Sequence, residues 1–277
     1  MTSGIANFSV RKMGIDGSAA ADDAVAIEEP LGIRLVWFVN SKRESRDIAV
    51  TMRTPGQDAE LAAGFLFTEG LISAQNHISN ILVPDEAEGD NLIEVVLSRP
   101  PLTDPADQQR NFFISSSCGL CGKASIEAVR THAEFPVRKD EFAVSADVLS
   151  ALPESLIHLQ QNFAGTGSVH AAAVFDRDGL TELVYEDVGR HNAVDKLVGS
   201  LLLNGSLPLF AAGIFVSGRS SFELVQKSRM AGCEMLAAVG APSSLAIELA
   251  READMSLLGF VRDERFNVYA GPSRILP

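Results

Sequence analysis

Residues 115–123 read Ser-Ser-Ser-Cys-Gly-Leu-Cys-Gly-Lys, and this stretch holds two of the chain's three cysteines, Cys118 and Cys121. A glycine after each cysteine removes side-chain bulk and lets a partner approach the sulfur. A helix-compatible run follows at once from Lys123. Thiols at a helix N-terminus beside a lysine have a lowered pKa and react as thiolates. Such a pair can bind a metal, exchange a disulfide or carry a sulfur atom.

The spacing weighs differently on each chemistry. Closed structural zinc wants four ligands, commonly two Cys-x-x-Cys pairs or one pair with closely spaced histidines, and this chain has one pair and no second cluster. Zinc deaminases combine Pro-Cys-x-x-Cys with His-x-Glu, the glutamate being the general acid/base. Here Ser117 precedes the first cysteine and His170-Ala-Ala stands where the glutamate is needed. A thioredoxin-like pair belongs near the start of a βαβ unit, whereas this one lies mid-chain in a long loop. Sulfur transfer needs an accessible low-pKa cysteine and a receptor site for the acceptor, and the flanking glycines and serines suit it.

Two strand-to-helix turns offer such a receptor. One is Glu186-Asp-Val-Gly-Arg190-His191-Asn192, in which Asn192 and Asp195 have capping-box spacing. The other is Val216-Ser-Gly-Arg219-Ser-Ser, with Ser220 and Glu223 in the same relation. Glycine permits a tight turn, and an arginine beside free helix N–H groups can hold an anion. Neither turn has the spacing of a Walker A loop or of a Gly-x-Gly-x-x-Gly dinucleotide turn. His170 follows the glycine-rich Gly165-Thr-Gly-Ser and is balanced between a site role and a structural one. Cys233 reads as a small buried hydrophobe, and His77, His132 and His158 receive no role.

The elements that must position these groups alternate between strand and helix. Residues 1–27, rich in Gly, Ala, Ser and Asp, read as a flexible lead-in, and residues 28–277 as the folded unit, with room for a smaller N-terminal subdomain. Strands are expected at 33–39, 47–52, 91–97 and 110–114, with a polar turn over 40–46 and a helix opening at Thr54-Pro-Gly-Gln-Asp58. In the second half, 169–175 and 180–185 form a hairpin about Asp176-Arg-Asp-Gly179. Val194, Leu197, Val198, Leu201 and Leu202 mark a helix. Strands at 212–216, 235–239, 257–261 and 266–269 alternate with helices from Phe222 and Ala241. This rhythm gives an α/β sandwich layered around a largely buried mixed sheet.

A net charge of −13 over 277 residues argues against a general nucleic-acid binder, which needs a basic surface. The N-terminus lacks the apolar stretch of a signal peptide. The longest apolar run, Leu207–Val216, is about half of the ~20 residues a spanning helix needs. The expectation is a cytoplasmic chain with no membrane role.

From Glu28 onward the chain resembles the formate dehydrogenase accessory sulfurtransferases, the FdhD family. The blocks are Met52-Arg-Thr-Pro-Gly, Glu60-Leu-Ala-Ala-Gly-Phe-Leu-Phe-Thr-Glu-Gly, Ser117-Cys-Gly-Leu-Cys-Gly, Val169-His-Ala-Ala-Ala, Glu186-Asp-Val-Gly-Arg-His-Asn-Ala-Val-Asp-Lys and Val216-Ser-Gly-Arg-Ser-Ser-Phe-Glu-Leu-Val-Gln-Lys, followed by Ala241-Pro-Ser-Ser-Leu-Ala, Gly259-Phe-Val-Arg and Phe266-Asn-Val-Tyr. The resemblance implies a cytidine deaminase-like fold, a homodimer, and a carrier that takes persulfide sulfur from a cysteine desulfurase. Its acceptor would be the molybdenum (or tungsten) bis-pterin guanine dinucleotide cofactor of formate dehydrogenase, bound as a substrate, with no resident cofactor or metal. Cys118 matches the persulfide carrier and Cys121 its partner. The cofactor-binding segment maps onto Phe260, Val261, Arg262, Asp263, Glu264 and Arg265, and Arg190, His191 and Arg219 are expected to complete the nucleotide pocket. The chain departs from the family at Ser168, where a glycine is common, and at Asp263-Glu264, where a shorter Arg-Gly turn is common. Two other readings stand beside the carrier: a cofactor-delivery chaperone that needs no cysteine, and a zinc-dependent hydrolase of deaminase type.

Overall fold

A computed structural model describes residues 4–15, 17–84, 91–103, 135 and 142–277. From Ile5 the chain is already regular, where composition predicts a structureless lead-in. Strands β1 (Ile5–Gly14) and β2 (Gly17–Ala26) pair antiparallel. Alanine- and aspartate-rich composition masks the alternation that would have betrayed them. The base of this hairpin is tied down, with Ile27 N–H donating to Gly4 O at 2.8 Å and Ala26 N–H to Ser168 Oγ at 3.3 Å.

Strands β3 (Glu29–Val39) and β4 (Lys42–Arg53) form the next hairpin. Its turn is only Asn40-Ser41, both at positive φ (49° and 63°), the backbone that a two-residue turn requires if it is to follow the strand twist. The polar run after Ser41 is therefore strand, carrying its charges on the exposed face. Helix α1 (Asp58–Thr68) crosses over from β4, and β5 (Ile78–Leu82) and β6 (Leu92–Leu97) complete a four-stranded sheet in the order β4-β3-β6-β5. β3 and β6 run parallel within it.

After β7 (Val144–Ser145) come α2 (Ala146–Leu159), capped by Ser145 Oγ accepting from Val148 N–H, and α3 (Gln161–Thr166). The remaining chain builds the second sheet: β8 (His170–Asp176), β9 (Gly179–Asp187), α4 (Arg190–Leu203), β10 (Gly213–Val216), α5 (Phe222–Met230), β11 (Met235–Ala238), α6 (Ser244–Glu252), β12 (Ser256–Arg262) and β13 (Arg265–Ala270). Its order is β13-β12-β11-β10-β8-β9, with β10, β11 and β12 parallel. The short β14 (Ile275–Leu276) pairs with β7.

The central strands are apolar throughout because both faces are covered. On β8, Ala172 and Val174 join the core shared with α1, α4, α5 and α6, while Ala171, Ala173 and Phe175 face Leu149, Leu152 and Leu156 of α2. The order of layers is four-stranded sheet, α1, then α4 with α5 and α6, then the six-stranded sheet, then α2. This is the layered mixed α/β architecture expected from the alternation. No described helix is long and apolar enough to cross a membrane.

Helices α1 and α4 cross at two glycines. A Cβ on Gly64 would run into the Asp195 carbonyl, and one on Gly199 into the Glu60 carbonyl. The backbones therefore touch, and any larger side chain at either point must push the helices apart.

Candidate functional site

Cys118 and Cys121 lie outside the described residues. Other expected site residues gather at the end of the six-stranded sheet where β10, β11 and β12 terminate. In open α/β sheets this is the end at which strand-to-helix loops form ligand crevices. Five segments meet there: the start of β8 at His170, the β9–α4 turn, the β10–α5 turn, the β11–α6 turn and the end of β12.

Backbone contacts lock the loops together. Gly240 N–H donates to Gly218 O at 3.0 Å, and Phe260 N–H donates to Gly240 O at 3.2 Å. A Cβ on Gly240 would lie 2.8 Å from Arg219 Cγ, so glycine is what allows the loops to close up. Arg219 is exposed at the tip of the β10–α5 turn. The Gly218 α-carbon sits between the His170 imidazole and the Arg190 side chain: a Cβ there would be 3.4 Å from His170 Nδ1 and 3.7 Å from Arg190 Cδ. Burial lowers the His170 pKa, and Arg190 lowers it further, with Asp187 opposing. His170, left undecided by the sequence, belongs to this cluster.

The expected segment 260–265 splits. Phe260 is half-buried at φ 55°, with the Arg262 guanidinium 5.6 Å from its ring centroid. Arg262, Asp263, Glu264 and Arg265 form an exposed hairpin turn, with Asp263 and Glu264 at φ 52° and 56°. Val261 is fully buried in the core against α2 and packs rather than binds.

Both capping boxes expected at these turns are absent. Helix α4 starts three residues earlier, with Gly189 as N-cap, and α5 is preceded by Ser221, which makes no side-chain cap bond. Asn192 is committed elsewhere: its amide donates to Met52 O (2.7 Å) and Asp187 Oδ1 (3.0 Å), and its Oδ1 accepts from Thr51 Oγ1 (3.1 Å). Ser220 Oγ is buried with no hydrogen-bond partner among the described residues.

Two fully buried lysines hold the floor of the site. Lys196 Nζ lies 2.8 Å from Asp187 Oδ2 and donates to Thr54 O at 2.9 Å. Asp187 also accepts from Thr54 N–H and Gly189 N–H. This joins the Met52-Arg-Thr-Pro block to the β9–α4 turn. Lys227 Nζ is 3.0 Å from both oxygens of Asp195 and donates to Thr68 Oγ1 at 2.9 Å, linking α5, α4 and α1. Burial lowers the Lys227 pKa, but Asp195, Glu69 and Glu223 more than offset this and raise it overall. Burial pushes the Asp195 carboxyl up against the pull of Lys227. The pair is best described as an ion pair with lysine firmly protonated, because removing either charge would strand the other in the core.

His191 Nε2 is 3.3 Å from Ser221 Oγ and 3.3 Å from Glu223 Oε2. Its pKa is pushed down from 6.5 to about 3, first by burial and then by Arg190, Lys227 and His170. A buried neutral histidine stabilises the fold fully above the unfolded value of 6.5, and that contribution is lost as pH falls toward about 3. Urea unfolding at pH 7.5 and pH 4.5 should show this: the wild type loses about 2–3 kcal/mol more between the two than His191→Gln, which cannot titrate. Equal losses would mean that His191 is not held neutral.

Cys233 is buried, donates to Met235 O at 3.0 Å and has its thiol pushed up to about 12, chiefly by burial. It is the small buried hydrophobe that the sequence indicated.

Comparison with known proteins covers nearly the whole chain. A sulfur carrier protein FdhD of Streptomyces coelicolor is 47% identical over 267 residues, spanning 94% of this chain and 92% of the relative. One from Sulfurisphaera tokodaii is 39% identical over 272 residues, spanning 98% and 99%. Among solved structures, a putative formate dehydrogenase accessory protein from Desulfotalea psychrophila superposes with a TM-score of 0.74 at 26% identity, over 98% of this chain and 99% of that one. The model of the FdhD/NarQ family matches residues 39–276, from the end of β3 to β14. On this breadth of match, the chain belongs to the FdhD/NarQ family.

Proposed function

We propose that this protein is a persulfide sulfurtransferase that serves formate dehydrogenase, passing sulfur from a cysteine desulfurase to a molybdenum bis-pterin guanine dinucleotide bound as substrate. The observation that carries the reading is the gathering of Arg190, His170, Arg219 and Phe260 around Gly218 and Gly240 at one sheet end, in a chain whose near-full-length relatives bear the name sulfur carrier. A pterin dinucleotide presents phosphates and guanine rings. Arginines beside helix N-termini suit the phosphates, and an aromatic ring at the rim suits a base.

The chemistry balances in two steps. The Cys118 thiolate attacks the outer sulfur of the desulfurase's persulfide, forming Cys118–S–S⁻ and releasing the desulfurase thiol. The Cys121 thiolate then attacks Cys118 Sγ, forming the Cys118–Cys121 disulfide and expelling hydrosulfide toward the acceptor. An external thiol reduces the disulfide for the next cycle. In this reading the protein works as a homodimer in the cytoplasm, with Phe260 and the Arg262–Arg265 turn at the pocket rim.

GDP is a usable fragment of the acceptor. Equilibrium titration should give binding that weakens about tenfold or more in Arg219→Ala and in Arg190→Ala, as expected on removing a charge-assisted contact to phosphate. Unchanged affinity in both variants would remove these residues from the pocket. Sulfur loading is read separately, by intact mass after exposure to a desulfurase and cysteine. A delivery chaperone would bind GDP yet gain no sulfur.

A further inference from the structure

Within that proposed nucleotide pocket, the geometry points to Glu223 as the positioning residue that fixes His191 as its Nε2–H tautomer, so that His191 serves as a neutral hydrogen-bond acceptor rather than as a counter-ion for phosphate. The inference about ligand contact rests on the pocket reading; the inference about the tautomer does not.

His191 Nε2 faces two oxygens, Glu223 Oε2 and Ser221 Oγ, each at 3.3 Å. An imidazole lone pair directed at a carboxylate would be repelled, so this nitrogen must carry the proton. In a neutral ring the other nitrogen, Nδ1, is then the acceptor. Glu223 is itself braced. Its Oε1 lies 3.9 Å from Lys227 Nζ, and Lys227 is held by Asp195 and Thr68 deep between α5, α4 and α1. The carboxylate is thus fixed from the core side and orients the imidazole on the other.

The surroundings keep the ring uncharged. His191 is 7% exposed, and Arg190, Lys227 and His170 all disfavour a second proton, while Glu223 Oε2 lies 3.3 Å from Nε2. A ring held neutral gives a phosphate no countercharge. It matches a ligand group that donates, such as the N–H edge of a guanine or a ribose hydroxyl. Arg190 and Arg219 remain to meet the phosphates. The division of labour separates base recognition from charge neutralisation at two adjacent positions of one helix start.

The test uses the full chain labelled with ¹⁵N-histidine, with His191→Gln assigning the signal among the five histidines. Long-range ring correlations should show His191 as a single neutral Nε2–H tautomer between about pH 6 and 8. Glu223→Gln, whose amide oxygen still accepts, should keep that pattern. Glu223→Ala should move the ring shifts toward the tautomer mixture of an unconstrained imidazole. An Nδ1–H form or a cation in the wild type, or identical spectra for wild type and Glu223→Ala, would overturn the positioning role. In parallel, Glu223→Ala should weaken GDP about tenfold, as for loss of one fixed hydrogen bond, while pyrophosphate binding changes less than twofold and Glu223→Gln retains most of the GDP affinity. Equal weakening of GDP and pyrophosphate would assign His191 to the phosphates and overturn the acceptor role. Failure of the wild type to bind GDP at all would overturn the pocket reading and the acceptor role with it, leaving the ring spectra to decide the role of Glu223.

Discussion

Incubated with a cysteine desulfurase and free cysteine, the wild-type chain is expected to gain the mass of at least one sulfur atom, and Cys118→Ala to gain none. The third cysteine cannot supply a false positive. Cys233 is fully buried, bonded to Met235 O, with its thiol held up to about 12, so it offers no thiolate to a partner protein. Sulfur gained by the protein must therefore sit on Cys118 or Cys121. Cys121→Ala separates their roles: it should load sulfur as the wild type does, then retain it when the wild type discharges hydrosulfide and forms a disulfide. A wild-type chain that gains no mass would count decisively against the carrier and for a delivery chaperone. Sulfur retained in Cys118→Ala would move the carrier to Cys121.

How far this site could be read in advance depended on the range of the interaction that makes it. The glycine–arginine turns were legible because strand, glycine, arginine and helix start are neighbours in sequence, and Arg190 and Arg219 do lie at loops joined through Gly218 and Gly240. The apolar stripe of α4 was legible for the same reason: Val194, Leu197, Val198, Leu201 and Leu202 are all buried. The start of α4 was not. Asn192 looks like a cap from its neighbours, yet besides Asp187 its partners are Met52 and Thr51, some 140 residues away. Asp195 looks like the other half of a capping box but pairs with Lys227 across two helices. Lys196 and Lys227 have the composition of a solvated helix face and are instead fully buried, each ringed by oxygens from distant segments. Glu223 was visible only as a helix-start acid. Its contact with His191 appears once β10 brings α5 against α4. The N-terminal hairpin escaped for a different reason, since alanine in strand and alanine in coil look alike without a partner strand to set the register.

Gly64→Ala is expected to cost about 4 kcal/mol or more, at the severe end for single substitutions, because the added methyl meets the Asp195 carbonyl and main chain does not yield as a side chain does. For a chain of this size that corresponds to a melting point lower by roughly 10 °C. Gly199→Ala should behave alike, since its methyl meets the Glu60 carbonyl on the same contact. The double variant should cost less than the sum, because one separation of the helices relieves both clashes. Gly14→Ala, with open space around its α-carbon, is the control and should stay within about 0.5 kcal/mol of wild type. The consequence reaches the pocket. Helix α4 begins with Arg190 and His191, and Asp195 one turn on holds Lys227 against Thr68 of α1. Moving α4 away from α1 therefore strains the ion-pair floor and shifts the Arg190 and His191 side chains together. GDP affinity measured well below the melting point should fall in Gly64→Ala although position 64 touches no ligand. Retained affinity alongside a large stability loss would mean that the helix crossing supports the fold alone, and that the site is positioned by its loops.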